Sequence, residues 1–528
     1  MADVSSNVQQ PAAGIRAWLS ARAGDWRRCA TVLGDGPPEA ARSWRGILPR
    51  LFPFAGIVLL CAFMGAAVAV AETNALYLCL SLIGCAFILF DFRIGVVLLI
   101  LLMPISSSAE FPRAMLGITG LNPLNLLLVG TLASCLLHGL FDGSIRRFMP
   151  RPLLWLYVVP FLIAGVLGSR HFGDIAPAFF MYDVLSFDTV AGYVRDLVVK
   201  PLFTVVFALL VGAAVLKSEK PEKFLMPTLI SIWVMGLMVI VFVSQSGIAL
   251  GQLADSESRS FLSALGMHAN DLGRLYAVAY ALLLFTWAES KEPGLKLALL
   301  ASMGMVVVAL MLTFSRGAFT GFIVVNALYL CWRPNARTLI MAAFLAAGAV
   351  FALPEAVYDR ITTGFGLGLN EISAGRIDGI WLPLLPEVLR NPIFGGGIGT
   401  ILWSEAMRVG AGVSILGVAQ AHSAYLETVL DMGIVGLVLV CAYFLHVWKG
   451  FRTLSVDPAL SPTLRGFYQG AAAGLLSFLV AGITGSYLTP RPEQVFLWLA
   501  IGMMYGQRSR NAGNLNASPQ YGHAGDRH

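Results

Sequence analysis

The stretch "HSAYLETVLDMGIVG", His422–Gly436, decides how this chain is read. It sets a histidine, Glu427 and Asp431 at the head of a run that continues "LVLVCAYFLHVW", apolar enough to cross a bilayer. A charged group inside a membrane helix costs roughly 2.5 kcal/mol or more, so such groups face a cavity or a partner. A spanning helix that begins this way marks the mouth of a site.

The rest of the chain fits that setting. Of 528 residues, 57% are hydrophobic and 12% are charged, and mean hydropathy is +0.75. Soluble domains carry about a quarter of their residues charged, so the composition is that of a polytopic membrane protein. The net charge of +6 then marks membrane sidedness and gives no reason to expect nucleic acid. Apolar runs predict fourteen spans, at 51–71, 75–90, 94–106, 121–141, 152–168, 197–216, 224–243, 272–288, 295–312, 317–332, 336–353, 423–447, 466–486 and 492–506. The third and the last are short, so the expected fold is all-α with about 12–14 transmembrane helices.

Orientation follows from Lys and Arg. With residues 1–50 inside, the six inner loops hold fourteen Lys and Arg, and the six short outer loops hold six. The seventh outer loop, 354–421, is too long for that rule to govern. The expected organisation is a basic cytoplasmic tail at 1–50, eleven helices over 51–353, one large periplasmic loop at 354–421, three helices over 422–506 and a cytoplasmic tail at 507–528. Residues 1–50 show no cleavable signal pattern; "IRAWLSARAGDWRR" is either an amphipathic surface helix or part of a disordered tail. The seven cysteines sit in the tail or in apolar spans, so neither a disulfide framework nor a cysteine-based zinc site is indicated.

Several residues have the chemistry for a site on the outer face. His422 titrates near neutrality and so can accept a proton from a hydroxyl. Glu427 and Asp431, four apart, share one helix face. Arg316 in "TFSRGAF" and Arg376 in "AGRIDGIW" suit a diphosphate, because guanidinium forks hold phosphate oxygens bidentately. Each alone is equally a snorkelling or headgroup-binding arginine. "NPIFGGGIGT", with Gly395 and Gly397, lacks the Lys-Ser/Thr of a phosphate loop; it is expected to be a turn whose backbone approaches a ligand. "GMHANDLG" sets His268, Asn270 and Asp271 at the outer head of the eighth span, as substrate contacts or a helix cap. Asp255 and Glu257 form the one carboxylate pair considered for a metal, and no metal is expected. Arg491, outside these motifs, is expected to tolerate substitution.

His422, Ser423, nine residues, then Gly433-Ile-Val-Gly436 resembles the signature of the O-antigen ligase/polymerase superfamily. "SRG", "GR…W" and "NPIFGGGIGT" precede it in the same order, so the resemblance covers roughly residues 260–450. It implies a GT-C-like, metal-independent, inverting glycosyltransferase of the bacterial inner membrane that needs no cofactor. The implied donor is an undecaprenyl-diphosphate-linked glycan. The acceptor is lipid A–core in ligases, another repeat unit in polymerases, or protein in a third branch. His422 would be the general base, Arg316 and Arg376 the diphosphate clamp, and Glu427, Ser423, Asn270 and His268 supporting residues. The rival from another class is a polysaccharide flippase; no pair of related halves with broken helices favours it.

Overall fold

In a computed structural model the described residues are 74, 76–108, 111–112, 114–115, 118–143, 148–181, 184–247, 258–336, 339–340, 355–362, 365–408, 419–485 and 487–517. The tail 1–50, the expected span 51–71, most of 336–353 and the Asp255/Glu257 pair lie outside them. The chain divides into two compact units, Met1–Cys79 and Leu80–His528, and the packing and the site below belong to the second.

The architecture is all-α, with a two-residue antiparallel pairing of Ala114–Met115 and Ile118–Thr119 as the β structure among the described residues. Among the described residues, six helices are long and apolar enough to cross a membrane: Pro123–Phe141, Arg151–Ser169, Val190–Leu216, Pro221–Gln245, Pro293–Met311 and Ala424–Ser455. Leu76–Phe90, Phe92–Leu102 and Arg316–Trp332 are apolar but shorter. This is a multi-pass membrane protein.

Seven helices build and surround the site. They are α1 (Lys200–Leu216), α2 (Ala269–Glu289), α3 (Arg316–Trp332), α4 (Leu382–Arg390), α5 (Ala424–Ser455), α6 (Pro462–Ala481) and α7 (Val495–Ala517). Every residue of α2 from Leu272 to Thr286 is buried, so this helix is surrounded by protein and not by lipid. Its closest partner is α6, whose "GFYQGAAAG" puts Gly466, Gly470 and Gly474 on one face. A Cβ at Gly466 or Gly470 would lie 2.5 Å from the carbonyl oxygen of Phe285 or Ala281. Small residues at that spacing let two backbones touch, which is how helices associate where lipid removes the usual hydrophobic gain. Gly502 and Gly506 of α7 meet the backbone of Ala208 and Gly212 in α1 in the same way.

Helix starts follow from side-chain caps. Ser315 accepts from the Ala318 N–H at the head of α3, Ser423 from Leu426 at the head of α5, and Ser461 from Leu464 at the head of α6. Each satisfies an amide that the first helical turn leaves without a partner. Arg316 and His422 therefore sit beside capping serines, at helix ends.

Candidate active site

The helix that follows His422 is broken. Gly433, inside α5, has φ 65° and ψ −171°, a backbone region open to glycine alone. The break frees backbone groups on both sides, and the run "NPIFGGGIGT" takes four of them. Gly396 and Gly397 N–H donate to the carbonyls of Leu430 and Asp431, both at 2.9 Å. Ile434 N–H donates to Pro392 O at 2.9 Å and Val435 N–H to Ile393 O at 3.2 Å. A Cβ at Gly433 would collide with the Ile393 carbonyl, and one at Gly395 would lie 2.5 Å from Asp431 backbone atoms. Gly397, at φ 100°, lies against Gly168 of the Arg151–Ser169 span. The glycine-rich turn does bring its backbone close to something, and that is the break in α5. Gly436 serves packing as well, against Met432 one turn before it.

The two carboxylates are likewise occupied with backbone. Asp431 is buried, and its Oδ1 accepts from Gly399 N–H at 3.0 Å and Thr400 N–H at 3.1 Å, capping the short 3-10 turn Thr400–Trp403. Glu427, also buried, accepts from Ala421 N–H through Oε2 at 2.6 Å. Of the two expected surroundings, a cavity or a partner, both carboxylates have a partner, and it is backbone. They replace the water a backbone amide loses on burial.

His422 sits on the turn that Glu427 holds. Trp381 Nε1 donates to Ala421 O at 2.9 Å, and Ala424 N–H donates to Gly482 O at 2.9 Å. The segment is pinned on both sides of the histidine. His422 itself has φ 50°, a left-handed conformation that costs a side-chain-bearing residue energy and that the flanking bonds maintain.

One turn after α6 gathers the remaining residues. Gly482 O takes the head of α5, and Thr484 O accepts from Arg376 Nη1 at 2.9 Å. Gly317, the neighbour of Arg316, approaches the Thr484 hydroxyl so closely that a Cβ there would lie 3.3 Å from it. Arg316, Arg376 and His422 are thereby brought to one place from three distant parts of the chain.

The electrostatics agree with that convergence. Burial pulls the Arg376 guanidinium down to about 10, with Arg316 and Arg360 adding repulsion, so it stays charged at neutral pH. Burial likewise pulls the His422 imidazole down to about 4; Arg376 and His268 push the same way, and Asp271 opposes them. At neutral pH His422 is an uncharged imidazole with a free lone pair beside fixed positive charge. An arrangement of this kind can accept a proton and stabilise an anion at once.

His268 caps α2, its Nδ1 accepting from Asn270 N–H at 3.2 Å. Asn270 contributes that amide, and Ser423 contributes its cap. Asp271, which faces His422 electrostatically, is ion-paired with buried Arg274. Arg491, expected from the sequence to tolerate substitution, is set among charged and aromatic groups. Its guanidinium lies 3.8 Å from the Tyr487 ring centroid. Burial opposes its charge, yet Tyr487, Glu493, Asp271 and Glu427 around it outweigh that and push its pKa up. An outer-loop arginine free to vary would not be placed so. No local signal in "TPRPEQ" distinguishes it from a surface arginine, nor Thr484 from any other loop threonine.

Residues 298–441 match the model of the family described as O-Antigen ligase. The match contains Arg316, Arg376, the glycine-rich run and the motif from His422 to Gly436; His268, Asp271 and Arg491 fall outside it. No curated protein matches the chain.

Proposed function

We propose that this chain, whose residues 298–441 match the O-Antigen ligase family, transfers a glycan from undecaprenyl diphosphate to a lipid A–core hydroxyl. In this reading the site face is periplasmic, both termini are cytoplasmic and the membrane is the bacterial inner membrane. The observation that carries the proposal is the convergence of Arg376, the Arg316 segment and the His422 turn on the one loop after α6, with burial keeping His422 uncharged.

The acceptor hydroxyl gives its proton to the His422 imidazole as its oxygen attacks the anomeric carbon. The bond from that carbon to the diphosphate oxygen breaks, and its electron pair leaves with the lipid diphosphate. Attack from the face opposite the leaving group inverts the configuration. Arg316 and Arg376 meet the charge that builds on the departing diphosphate, which is the kind of term that usually dominates. No step needs a metal or a cofactor. Glu427 acts at one remove, by fixing the backbone that carries His422.

Transfer to a purified acceptor tests the chemistry. His422→Ala should cut the rate by about 10²–10⁴-fold, the usual contribution of a positioned base, with normal membrane levels and donor binding. Arg376→Ala should lower both transfer and donor retention, and Lys there should restore only part, lacking the bidentate fork. Wild-type rates in His422→Ala would remove the base assignment. Glycans of a strain lacking the protein then report the acceptor. Long unlinked chains are expected, whereas single repeat units would make the protein a repeat-unit polymerase instead.

A further inference from the structure

The loop that carries Arg376 ends in an amphipathic helix with three distinct sides. Leu384 of α4 is fully buried against the protein. Glu387 and Arg390 form a polar side, bonded to each other at 3.1 Å and to Glu405. Leu382, Leu385 and Leu389, at i, i+3 and i+7, form a third side that is 55%, 48% and 70% exposed. Ile393 and Phe394 extend it just past the helix, at 54% and 69%. A contiguous exposed apolar patch of this kind marks a partner or a membrane.

Two observations fix what that side meets. First, Pro392 and Ile393 are hydrogen-bonded to Ile434 and Val435 of α5. Ile434, Val435 and Val438 are themselves exposed on the spanning helix. The patch is therefore continuous with the surface that α5 turns to lipid. Second, Lys449 and Arg452 mark where α5 leaves the membrane at the opposite end. From Gly433 to Lys449 is about 24 Å at 1.5 Å per residue, less than the roughly 30 Å hydrocarbon core. The Gly433 break, and the loop bonded to it, lie at or inside the edge of the hydrocarbon. Irregular backbone survives at that depth only when its polar groups are satisfied internally, and the four bonds across the break satisfy four donors and four acceptors there.

We propose that α4 and the following 391–394 segment are embedded in the phospholipid leaflet on the site face, with Leu382, Leu385, Leu389 and Phe394 among the acyl chains. The occupant of the exposed side is the lipid bilayer itself, not a second copy of the chain and not a protein partner. The consequence for the site rests on the function proposed above. Arg376 lies just before the Ile377–Trp381 turn that leads into α4, so the embedded helix holds its guanidinium at headgroup depth. A lipid-linked diphosphate then reaches the clamp sideways, without lifting its polyprenyl tail out of the membrane.

Depth-dependent quenching tests the placement without any use of activity. Leu385→Cys, Leu389→Cys and Phe394→Cys are made singly in the cysteine-free full-length chain and labelled with bimane. The protein is then reconstituted in phosphatidylethanolamine/phosphatidylglycerol vesicles. Doxyl-labelled phospholipid should quench all three strongly and aqueous iodide weakly, while Glu405→Cys should show the reverse. Iodide quenching of positions 385 and 389 without lipid quenching would put the side in water and overturn the proposal. Loss of lipid quenching as the protein-to-lipid ratio rises would assign it to a second copy and overturn the proposal equally. The functional reading fails separately: lipid quenching at all three positions with undiminished transfer by His422→Ala would keep the embedding and discard the glycosyl-transfer site.

Discussion

His422 is held in a left-handed backbone conformation and kept uncharged by burial and by Arg376, and both facts have measurable consequences. Its folded value of about 4 lies below its ordinary 6.5, so the unfolded chain binds the extra proton between those values. This group's contribution to stability is whole above pH 6.5 and is lost progressively as pH falls toward 4. The pH profile of transfer carries more information. For kcat/KM, which reports the free enzyme, the acid limb should lie near pH 4. For kcat, which reports the complex, it should lie higher, because a bound diphosphate cancels the Arg376 charge that disfavours the imidazolium. Coincident limbs would mean that the donor does not sit between His422 and the arginine. Glu427 allows a complementary test. Glu427→Gln keeps an oxygen for the Ala421 N–H and should retain most activity. Glu427→Ala leaves that buried amide unpaired, at about 1–3 kcal/mol, and should lower both thermal stability and transfer. Equal loss in the two variants would show that the carboxylate charge itself is needed.

At the scale of the element, α5 works because it is interrupted. A continuous helix would offer no free amides to the glycine-rich run, and the Thr400–Trp403 turn would lose the Asp431 cap. Gly433→Ala puts a Cβ into the Ile393 carbonyl at a φ/ψ only glycine adopts. The strain alone costs about 1–3 kcal/mol, and the collision adds to it. Thermal unfolding in detergent should show a clear drop for this variant. Gly304→Ala is the contrast: it sits mid-helix with nothing within 4 Å of the added Cβ, where alanine favours the helix by up to about 1 kcal/mol. A Gly433→Ala protein as stable as Gly304→Ala would mean that the break is not needed to hold the site together.

At the scale of the molecule, the proposed sidedness decides whether the site meets its substrates at all. A single cysteine replacing Glu371, exposed on the site face, should react with an impermeant maleimide added from the periplasm to otherwise cysteine-free protein. One replacing Lys220, exposed in "KSEKPEK", should react only after the membrane is opened. The opposite pattern would put His422 on the cytoplasmic side, away from a periplasmic acceptor. The interior helices set the packing on which this sidedness rests. α2 and α6 touch through glycines, so the bundle has a dense centre against which the outer, lipid-facing spans lie.

Much of this was legible in the residues themselves. The all-α polytopic fold follows from apolar runs and sparse charge, which are additive properties of neighbouring residues. His422, Arg316 and Arg376 could be singled out because each is ionisable in or beside apolar sequence, where its presence needs a reason. What these groups touch could not be read. The grip of Asp431 on Gly399 and Thr400 depends on where the broken helix meets a loop some thirty residues earlier, and the bond from Glu427 to the Ala421 amide depends on a turn that folds back just before the helix. So does the burial of Arg491 against Tyr487 depend on distant packing. Thr484 holds the arginine through a backbone carbonyl, and Gly482 holds the histidine's helix through another; every residue has one of those. Side-chain chemistry is written in the chain, whereas the backbone groups it meets acquire their places only when distant segments pack.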